Sequence, residues 1–133
     1  MPTIFSKIIS GEIPCYKVAE DEHHLAFLDI NPNAEGHTLC IPKQETDKIF
    51  DLSEEAYTNL MTFSRSVALA IRATIPCRRV GMTVIGLEVP HAHVHLIPLS
   101  EMADATFGRK CSPDPAKMKE LAQAIGDQFA SSI

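Results

Sequence analysis

The 133-residue chain has no apolar run long enough to span a membrane. Its longest, residues 67–71, is far shorter than the roughly 20 residues such a span requires. Residues 1–10 contain only short apolar pairs broken by Ser and Lys, so the apolar core of a signal peptide is missing. The four cysteines form no Cys-x-x-Cys pair, and we expect free thiols. These absences predict a cytoplasmic protein without a membrane partner.

An excess of basic residues is also missing. Twelve Lys and Arg stand against seventeen Asp and Glu, giving a net charge of −5. Because nucleic-acid affinity depends on cationic neutralisation of phosphates, no nucleic-acid partner is expected, although a single nucleotide stays compatible. The 45% hydrophobic and 22% charged residues are typical of a globular protein, and no repeat or linker divides the chain. We therefore expect one domain over residues 1–133.

Hydrophobic periodicity and capping residues predict an α+β fold. Apolar residues at helical spacing, with candidate caps at Thr3, Ser53 and Asp114, predict helices. Runs rich in β-branched residues, separated by turn residues, predict strands. The expected helices cover residues 3–10, 53–74 and a final segment from Asp114, and the expected strands cover residues 16–19, 25–30, 38–41, 81–87 and 92–99. The result is an antiparallel sheet of about five strands, one long helix and shorter terminal helices, with residues 101–133 a C-terminal extension ending in a helix.

Three of the six histidines alternate with apolar residues, at His91, His93 and His95. If this segment is a strand, the three imidazoles share one face, with successive Cα atoms about 6.6 Å apart. Two chemical interpretations follow: the imidazoles chelate a metal such as zinc, or one is a nucleophile suited to attack on phosphorus. The spacing alone does not decide between them.

The motif His91-Ala92-His93-Val94-His95-Leu96-Ile97 resembles the His-x-His-x-His-x-x signature of the histidine-triad (HIT) family. Residues 3–14 (TIFSKIISGEIP), 25–32 (LAFLDINP) and 36–43 (GHTLCIPK) are similar to N-terminal signatures of its Hint branch. The resemblance extends to about Ser100 and implies a homodimeric α+β fold with a purine-nucleotide site. It also implies hydrolysis of nucleotidyl conjugates, such as nucleoside phosphoramidates, aminoacyl adenylates or dinucleoside polyphosphates.

The resemblance also assigns roles to the histidines. His93 would attack the α-phosphorus and become transiently nucleotidylated, and water would then release the nucleoside monophosphate. The backbone carbonyl of His91 would hold the Nδ1 proton of His93. His95 would contact the phosphate or assist the leaving group, and His37 would support the cluster. His37 could also be a strand-edge residue with no role in the site, so its supporting role depends on the resemblance.

A nucleotide pocket is implied as well, with Asp29 accepting hydrogen bonds from the ribose. The residues that would sandwich the base are Phe5, Ile8, Ile13 and Phe27. Each has a simpler interpretation: Asp29 could begin the turn at Asn31-Pro32, and the apolar residues could be ordinary core. His23 and His24 carry no motif and are expected on the surface.

This sequence departs from the family pattern at two places. Many bacterial members bind zinc through two cysteines, a downstream histidine and the first triad histidine, whereas the first three positions here look like Thr3, Ser6 and Glu45. We therefore expect no metal and no cofactor. The loop before the triad is short and contains Glu88, a nucleotide-site candidate whose carboxylate would repel phosphate, recognise a cationic leaving group, or face solvent. These departures leave an alternative to hydrolysis: a purine-nucleotide-binding regulatory or scaffold protein with little turnover.

Overall fold

The computed structural model describes residues 2–132, which build a five-stranded antiparallel sheet and three α-helices. The strand order is β1-β2-β3-β5-β4, so β1 and β4 are the sheet edges. In chain order the elements are α1 (Ile4–Ile9), β1 (Lys17–Glu20), β2 (His24–Leu28), β3 (Thr38–Pro42), α2 (Glu54–Thr74), β4 (Arg79–Thr83), β5 (Val94–Leu99) and α3 (Pro115–Ser131). The α+β class is confirmed. None of the described helices is both long and apolar enough to cross a membrane.

The helices begin where the capping residues predict. The Thr3 side chain accepts a hydrogen bond from the Ser6 amide at the start of α1. Ser53 does the same for the first turn of α2, and Asp114 for α3, where Pro115 occupies the first helical position. Each cap satisfies an amide that has no partner inside its helix, which fixes the first turn locally.

The two faces of the sheet have different coverings. Alternate side chains of the central strands, among them Ala26, Cys40 and Val94, pack beneath α2 and α3 in the larger core. The intervening side chains point to the opposite face, where a smaller apolar cluster lies under α1. That cluster contains Phe5, Leu25, Phe27, Leu39 and Ile41. Because His95 follows Val94 on β5, its side chain belongs to this second face.

The two strands predicted on either side of residue 90 are shorter than expected, which changes where the triad lies. β4 ends at Thr83 and β5 begins at Val94, so residues 84–93 form a loop in which Gly86 has a φ of 75°. Of the three triad histidines, only His95 is on a strand. The expectation that strand alternation alone orients the three imidazoles is therefore wrong, and loop contacts position His91 and His93.

His24 is the second correction. We expected it on the surface with His23, but it is 6% exposed and its ring stacks on Phe63 at 4.9 Å between centroids. Its Nδ1 lies 2.9 Å from the Asp21 carboxylate. The stack under α2 buries the ring, and the carboxylate satisfies its nitrogen.

Candidate active site

His93 is held in a single tautomer by a backbone carbonyl. Its Nδ1 lies 2.7 Å from the carbonyl oxygen of His91. A carbonyl only accepts hydrogen bonds, so Nδ1 carries the proton and Nε2 carries the lone pair. Burial lowers the pKa of His93, opposed by the hydrogen bond to His91. The ring is therefore neutral at pH 7, with its Nε2 able to attack an electrophile.

His37 and His95 form a buried pair, and hydrogen bonds also fix the tautomers of these two rings. The Asn33 amide donates to His37 Nδ1 at 3.0 Å, so that nitrogen is unprotonated. His37 Nε2 consequently carries the proton and donates it to His95 Nδ1 at 2.9 Å. The remaining proton of neutral His95 is on Nε2, which has no protein acceptor among residues 2–132. His95 can thus donate a hydrogen bond to a ligand.

The surroundings keep both rings of this pair neutral. Burial, with smaller contributions from His95, Lys110 and His93, lowers the pKa of His37 to about 3. Burial likewise lowers the pKa of His95 to about 4, with contributions from His93 and Lys110. Both values lie far below the ordinary value for histidine, because a charged imidazole is poorly solvated here and has cations as neighbours.

His91 is fixed through both of its ring nitrogens. Nε2 lies 2.8 Å from the Pro42 carbonyl and donates to it, so neutral Nδ1 accepts from the Thr3 hydroxyl at 3.0 Å. Thr3 is also 3.1 Å from the Ser6 hydroxyl, which donates to Glu45 at 3.0 Å. The positions compared with zinc ligands in relatives are therefore adjacent in space, and hydrogen bonds connect them.

Asp29 forms the turn that its sequence position predicts and also lies beside the histidine pair. One carboxylate oxygen accepts from the Asn31 amide at 2.8 Å, which builds the turn. The other lies 3.6 Å from His37 Nε2. Burial raises the pKa of Asp29, opposed by the Asn31 amide, Lys110 and His93. Asp29 therefore has a turn-forming oxygen and a second oxygen facing the histidine pair.

Of the apolar residues assigned to the base, Phe5 lies next to His93. The Phe5 ring contacts Phe27 edge to face at 5.5 Å between centroids and His93 at 5.0 Å. Phe5 and Phe27 are buried in the small cluster under α1, and Ile8 packs against it partly buried. Ile13 is half-buried and its amide donates to the Lys7 carbonyl. Phe5, Ile8 and Phe27 therefore have a core role, with Phe5 beside the nucleophile candidate, whereas Ile13 is half-buried outside this cluster.

Glu88 lies exposed in the 84–93 loop. The charge of its carboxylate nevertheless acts on two residues of the site. It opposes the larger effect of burial on the pKa of His93 and adds to the larger effect of burial on the pKa of Asp29. A carboxylate whose negative charge acts on His93 disfavours the binding of anions beside His93.

A metal fits the described residues poorly. Within residues 2–132, Asp29, His37 and His95 have ligand atoms within 4.8 Å of one another. Binding through His37 Nε2 would require the proton to move to Nδ1, which already faces the N–H of Asn33. His91 uses both ring nitrogens for protein hydrogen bonds. The hydrogen-bond polarity therefore opposes a metal centre, including one built from the three triad imidazoles.

Sequence reasoning missed two residues that reach the site from the C-terminal extension. The Phe107 ring contacts His95 at 5.0 Å and His37 at 6.0 Å between centroids. Lys110 Nζ lies 4.7 Å from the Phe107 centroid and 2.7 Å from Asn33 Oδ1. No motif covers residues 101–112, so only the fold brings them to the histidines.

Comparison with known proteins identifies the family. The model of the HIT domain matches residues 10–102, well over half of the chain. This chain belongs to the HIT family. The adenosine 5'-monophosphoramidase hnt1 of Schizosaccharomyces pombe is 34% identical over 134 residues, covering 100% of this chain and 99% of the relative.

Solved structures resemble this HIT protein over most of its length. A hypothetical histidine triad nucleotide-binding protein from Sulfolobus tokodaii strain 7 is 27% identical with a TM-score of 0.83, covering 96% of this chain and 92% of its own. A zinc-bound histidine triad family protein from Mycobacterium smegmatis is also 27% identical, with a TM-score of 0.82 and coverage of 97% and 94%. The likeness reaches beyond the matched domain into the C-terminal extension.

Proposed function

We propose that this HIT protein cleaves nucleotidyl conjugates at the α-phosphorus through a nucleotidyl-His93 intermediate and releases a nucleoside monophosphate. The observation that carries the proposal is the 2.7 Å hydrogen bond from His93 Nδ1 to the His91 carbonyl, which leaves the Nε2 lone pair free. Nucleophilic catalysis needs such a poised, unprotonated nitrogen. The phosphoramidase relative in fission yeast, similar along its whole length, supports this class of reaction.

In the first step, the lone pair of His93 Nε2 forms a bond to the α-phosphorus. The bond from phosphorus to the leaving group breaks, and its electron pair departs with that group, an amine taking up a proton from solvent as the bond breaks. His95 Nε2–H, whose orientation is fixed by the bond from His37, donates a hydrogen bond to the phosphate or the leaving group. His93 and His95 are both neutral, and the lone pair on His93 Nε2 is therefore available for the attack.

In the second step, water attacks phosphorus and the bond to His93 Nε2 breaks. The electron pair returns to His93, and one proton of the attacking water passes to solvent. The product is a nucleoside monophosphate, and the histidine is restored in its original tautomer. The His91 carbonyl accepts from Nδ1 in both states, so the ring does not need to turn.

In the same proposal, Asp29 accepts hydrogen bonds from the ribose hydroxyls through the oxygen that faces the site. The purine packs against the cluster under α1, which includes Phe5 and Phe27. The remaining nucleotide-site candidates are Ile8, Ile13 and the carboxylate of Glu88.

The proposal is tested by incubating the protein with adenosine 5′-phosphoramidate and with a dinucleoside polyphosphate. AMP should appear, and intact-protein mass spectrometry should detect a nucleotidyl adduct during turnover. His93→Ala should abolish both signals. His23→Ala removes an exposed histidine, 74% exposed at its side chain, and serves as the matched control. A fully active His93→Ala protein would refute the mechanism.

The second candidate is a nucleotide-binding protein with little turnover. The negative charge of Glu88, which acts on His93, favours this candidate. In that case calorimetry should show tight AMP binding by a folded protein that hydrolyses no conjugate of the panel. AMP production with a detectable adduct would exclude this candidate.

We further propose a homodimer formed at the β4 edge. Beside this edge a cavity of about 530 Å³ reaches His93. It is lined by apolar residues that stay exposed in the monomer, including Phe50 at 85% and Met82 at 50%. Exposed strand edges and apolar patches of this kind favour association. Sedimentation velocity measures the oligomeric state, and a monomer at micromolar concentration would contradict the homodimer.

The four free cysteines support a cytoplasmic location.

A further inference from the structure

An aromatic ring from the C-terminal extension covers the histidine pair. The centroid of the Phe107 ring lies 5.0 Å from that of His95 and 6.0 Å from that of His37, and both contacts are edge to face. His95 has a second edge-to-face neighbour in His93, at 4.9 Å. Phe107 is half-buried and lies outside both apolar clusters. Its burial therefore comes from the site rather than from a core.

The hydrogen bond from His37 fixes only one atom of the His95 ring. It holds His95 Nδ1 at 2.9 Å, and the rest of the ring can still tilt about that atom. The torsion that turns an imidazole about its Cβ–Cγ bond has broad preferences, so packing contacts decide where Nε2 points. For His95 these contacts come from His93 and Phe107. In the proposed reaction His93 gains and loses a nucleotidyl group, whereas Phe107 stays unchanged throughout.

The loop that carries Phe107 is anchored on both sides to the turn after β2. On the N-terminal side, the Asp104 carbonyl accepts from Asn33 Nδ2 at 3.0 Å. On the C-terminal side, the Cys111 amide donates to the Pro32 carbonyl at 3.0 Å. Two adjacent residues of one turn thus hold the backbone before and after the ring.

Lys110 connects the ring itself to the same turn. Its Nζ lies over the Phe107 ring, 4.7 Å from the centroid, and 2.7 Å from Asn33 Oδ1. The Asn33 amide also donates to His37 Nδ1. The Phe107 backbone has a φ of 61°, a left-handed conformation that a bulky residue rarely adopts. Such a conformation persists only where surrounding contacts hold it, and here those contacts keep the ring on the histidine pair.

We propose that Phe107 is a positioning residue, which holds the His95 ring so that its Nε2–H points at the phosphate or the leaving group of the substrate. The inference rests on the proposed hydrolase function and adds a residue that acts through His95. Side-chain burial supports it: His37 is fully buried and His95 is 7% exposed, so the hydrogen bond between them is kept from water. Loss of the ring should let His95 tilt and let water reach this hydrogen bond.

The kinetic test measures kcat with adenosine 5′-phosphoramidate. Phe107→Gly removes the ring, and glycine adopts the left-handed backbone without strain. We expect kcat to fall about ten- to a hundredfold, the scale of a misplaced catalytic group. The affinity for AMP, measured by calorimetry, should stay within about threefold, because the nucleoside contacts proposed for Asp29 and for the cluster under α1 are untouched.

Two variants control for the size and the place of the change. Phe107→Leu keeps an apolar cover over the pair and should recover most of the wild-type kcat. Phe129→Ala removes another half-buried ring, which lies on α3 and packs on Phe63, and should leave kcat unchanged.

A spectroscopic test separates positioning from a general loss of stability. The proton on His37 Nε2, donated to His95 and covered by Phe107, should give a resolved imidazole signal in proton–nitrogen correlation spectra of the wild-type protein. In Phe107→Gly the proton should exchange with water and its signal should broaden or vanish. Phe129→Ala should keep the signal, because a folded protein with lower stability still covers the pair.

An unchanged kcat in Phe107→Gly, or an imidazole signal that persists there, would overturn the inference while the hydrolase proposal stands. An equal loss of kcat in Phe129→Ala would overturn it as well. If the wild-type protein cleaves no conjugate, the hydrolase proposal fails and the imidazole signal alone decides. Its loss in Phe107→Gly and recovery in Phe107→Leu would support the positioning of His95, and its presence in both variants would refute it.

Discussion

Replacing Thr3 with valine tests the link between the first helix and the triad. Valine has nearly the shape of threonine but no hydroxyl, and Thr3 is only 7% exposed, so the change removes hydrogen bonds without opening a cavity. The lost bonds are the cap from the Ser6 amide at 3.0 Å and the contact with His91 Nδ1 at 3.0 Å.

The expected loss of stability follows from these two bonds. Removing a helix cap costs about 1 kcal/mol. His91 is fully buried, and leaving its Nδ1 without a donor costs about 1–3 kcal/mol more. We expect Thr3→Val to lower the free energy of unfolding by about 2–4 kcal/mol, a large part of the about 5–15 kcal/mol typical of domains. Activity should fall several-fold as well, because the His91 carbonyl orients His93.

Urea unfolding, followed by circular dichroism, measures the effect, and one fixed protein concentration for all variants keeps the concentration dependence of a dimer out of the comparison. Thr3→Ser keeps the hydroxyl and should lose less than about 1 kcal/mol, since only a methyl group is removed. The reasoning is wrong if the valine and serine variants unfold at the same urea concentration.

Two further predictions concern pH and packing. Because the pKa of His93 is lowered from its ordinary value of 6.5, kcat/KM should lose half its value only at a pH below 6.5, as His93 Nε2 becomes protonated. A profile with half its activity lost at pH 6.5 would contradict this. Gly126→Ala should destabilise by about 1–3 kcal/mol, because the new Cβ would lie 2.9 Å from the Val18 carbonyl oxygen. Helix propensity alone would stabilise by about 1 kcal/mol, so the sign measured by thermal unfolding decides.

The sequence was sufficient for most of the fold because the relevant signals are local. Helix starts at Thr3, Ser53 and Asp114 were predictable from one side chain reaching an amide three residues away. Strand order and the burial of His24 were harder, since a stack on Phe63 joins separate elements. The predicted strand ends failed around the triad for the same reason. The loop at residues 84–93 is defined by contacts such as that of the Ala92 amide with the Thr46 carbonyl.

By itself, the sequence determined the α+β class, the three helices, the core faces and the candidates His91, His93 and His95, through periodicity, capping and motif spacing. Tertiary structure decided which nitrogen of His91 and of His95 carries a proton. Those tautomers depend on partners far away in the chain: His37 for His95, 58 residues apart, and Thr3 for His91, 88 residues apart. It also brought Lys110 to the site. Side-chain hydrogen bonds of this range follow from how elements pack, which local pattern does not encode.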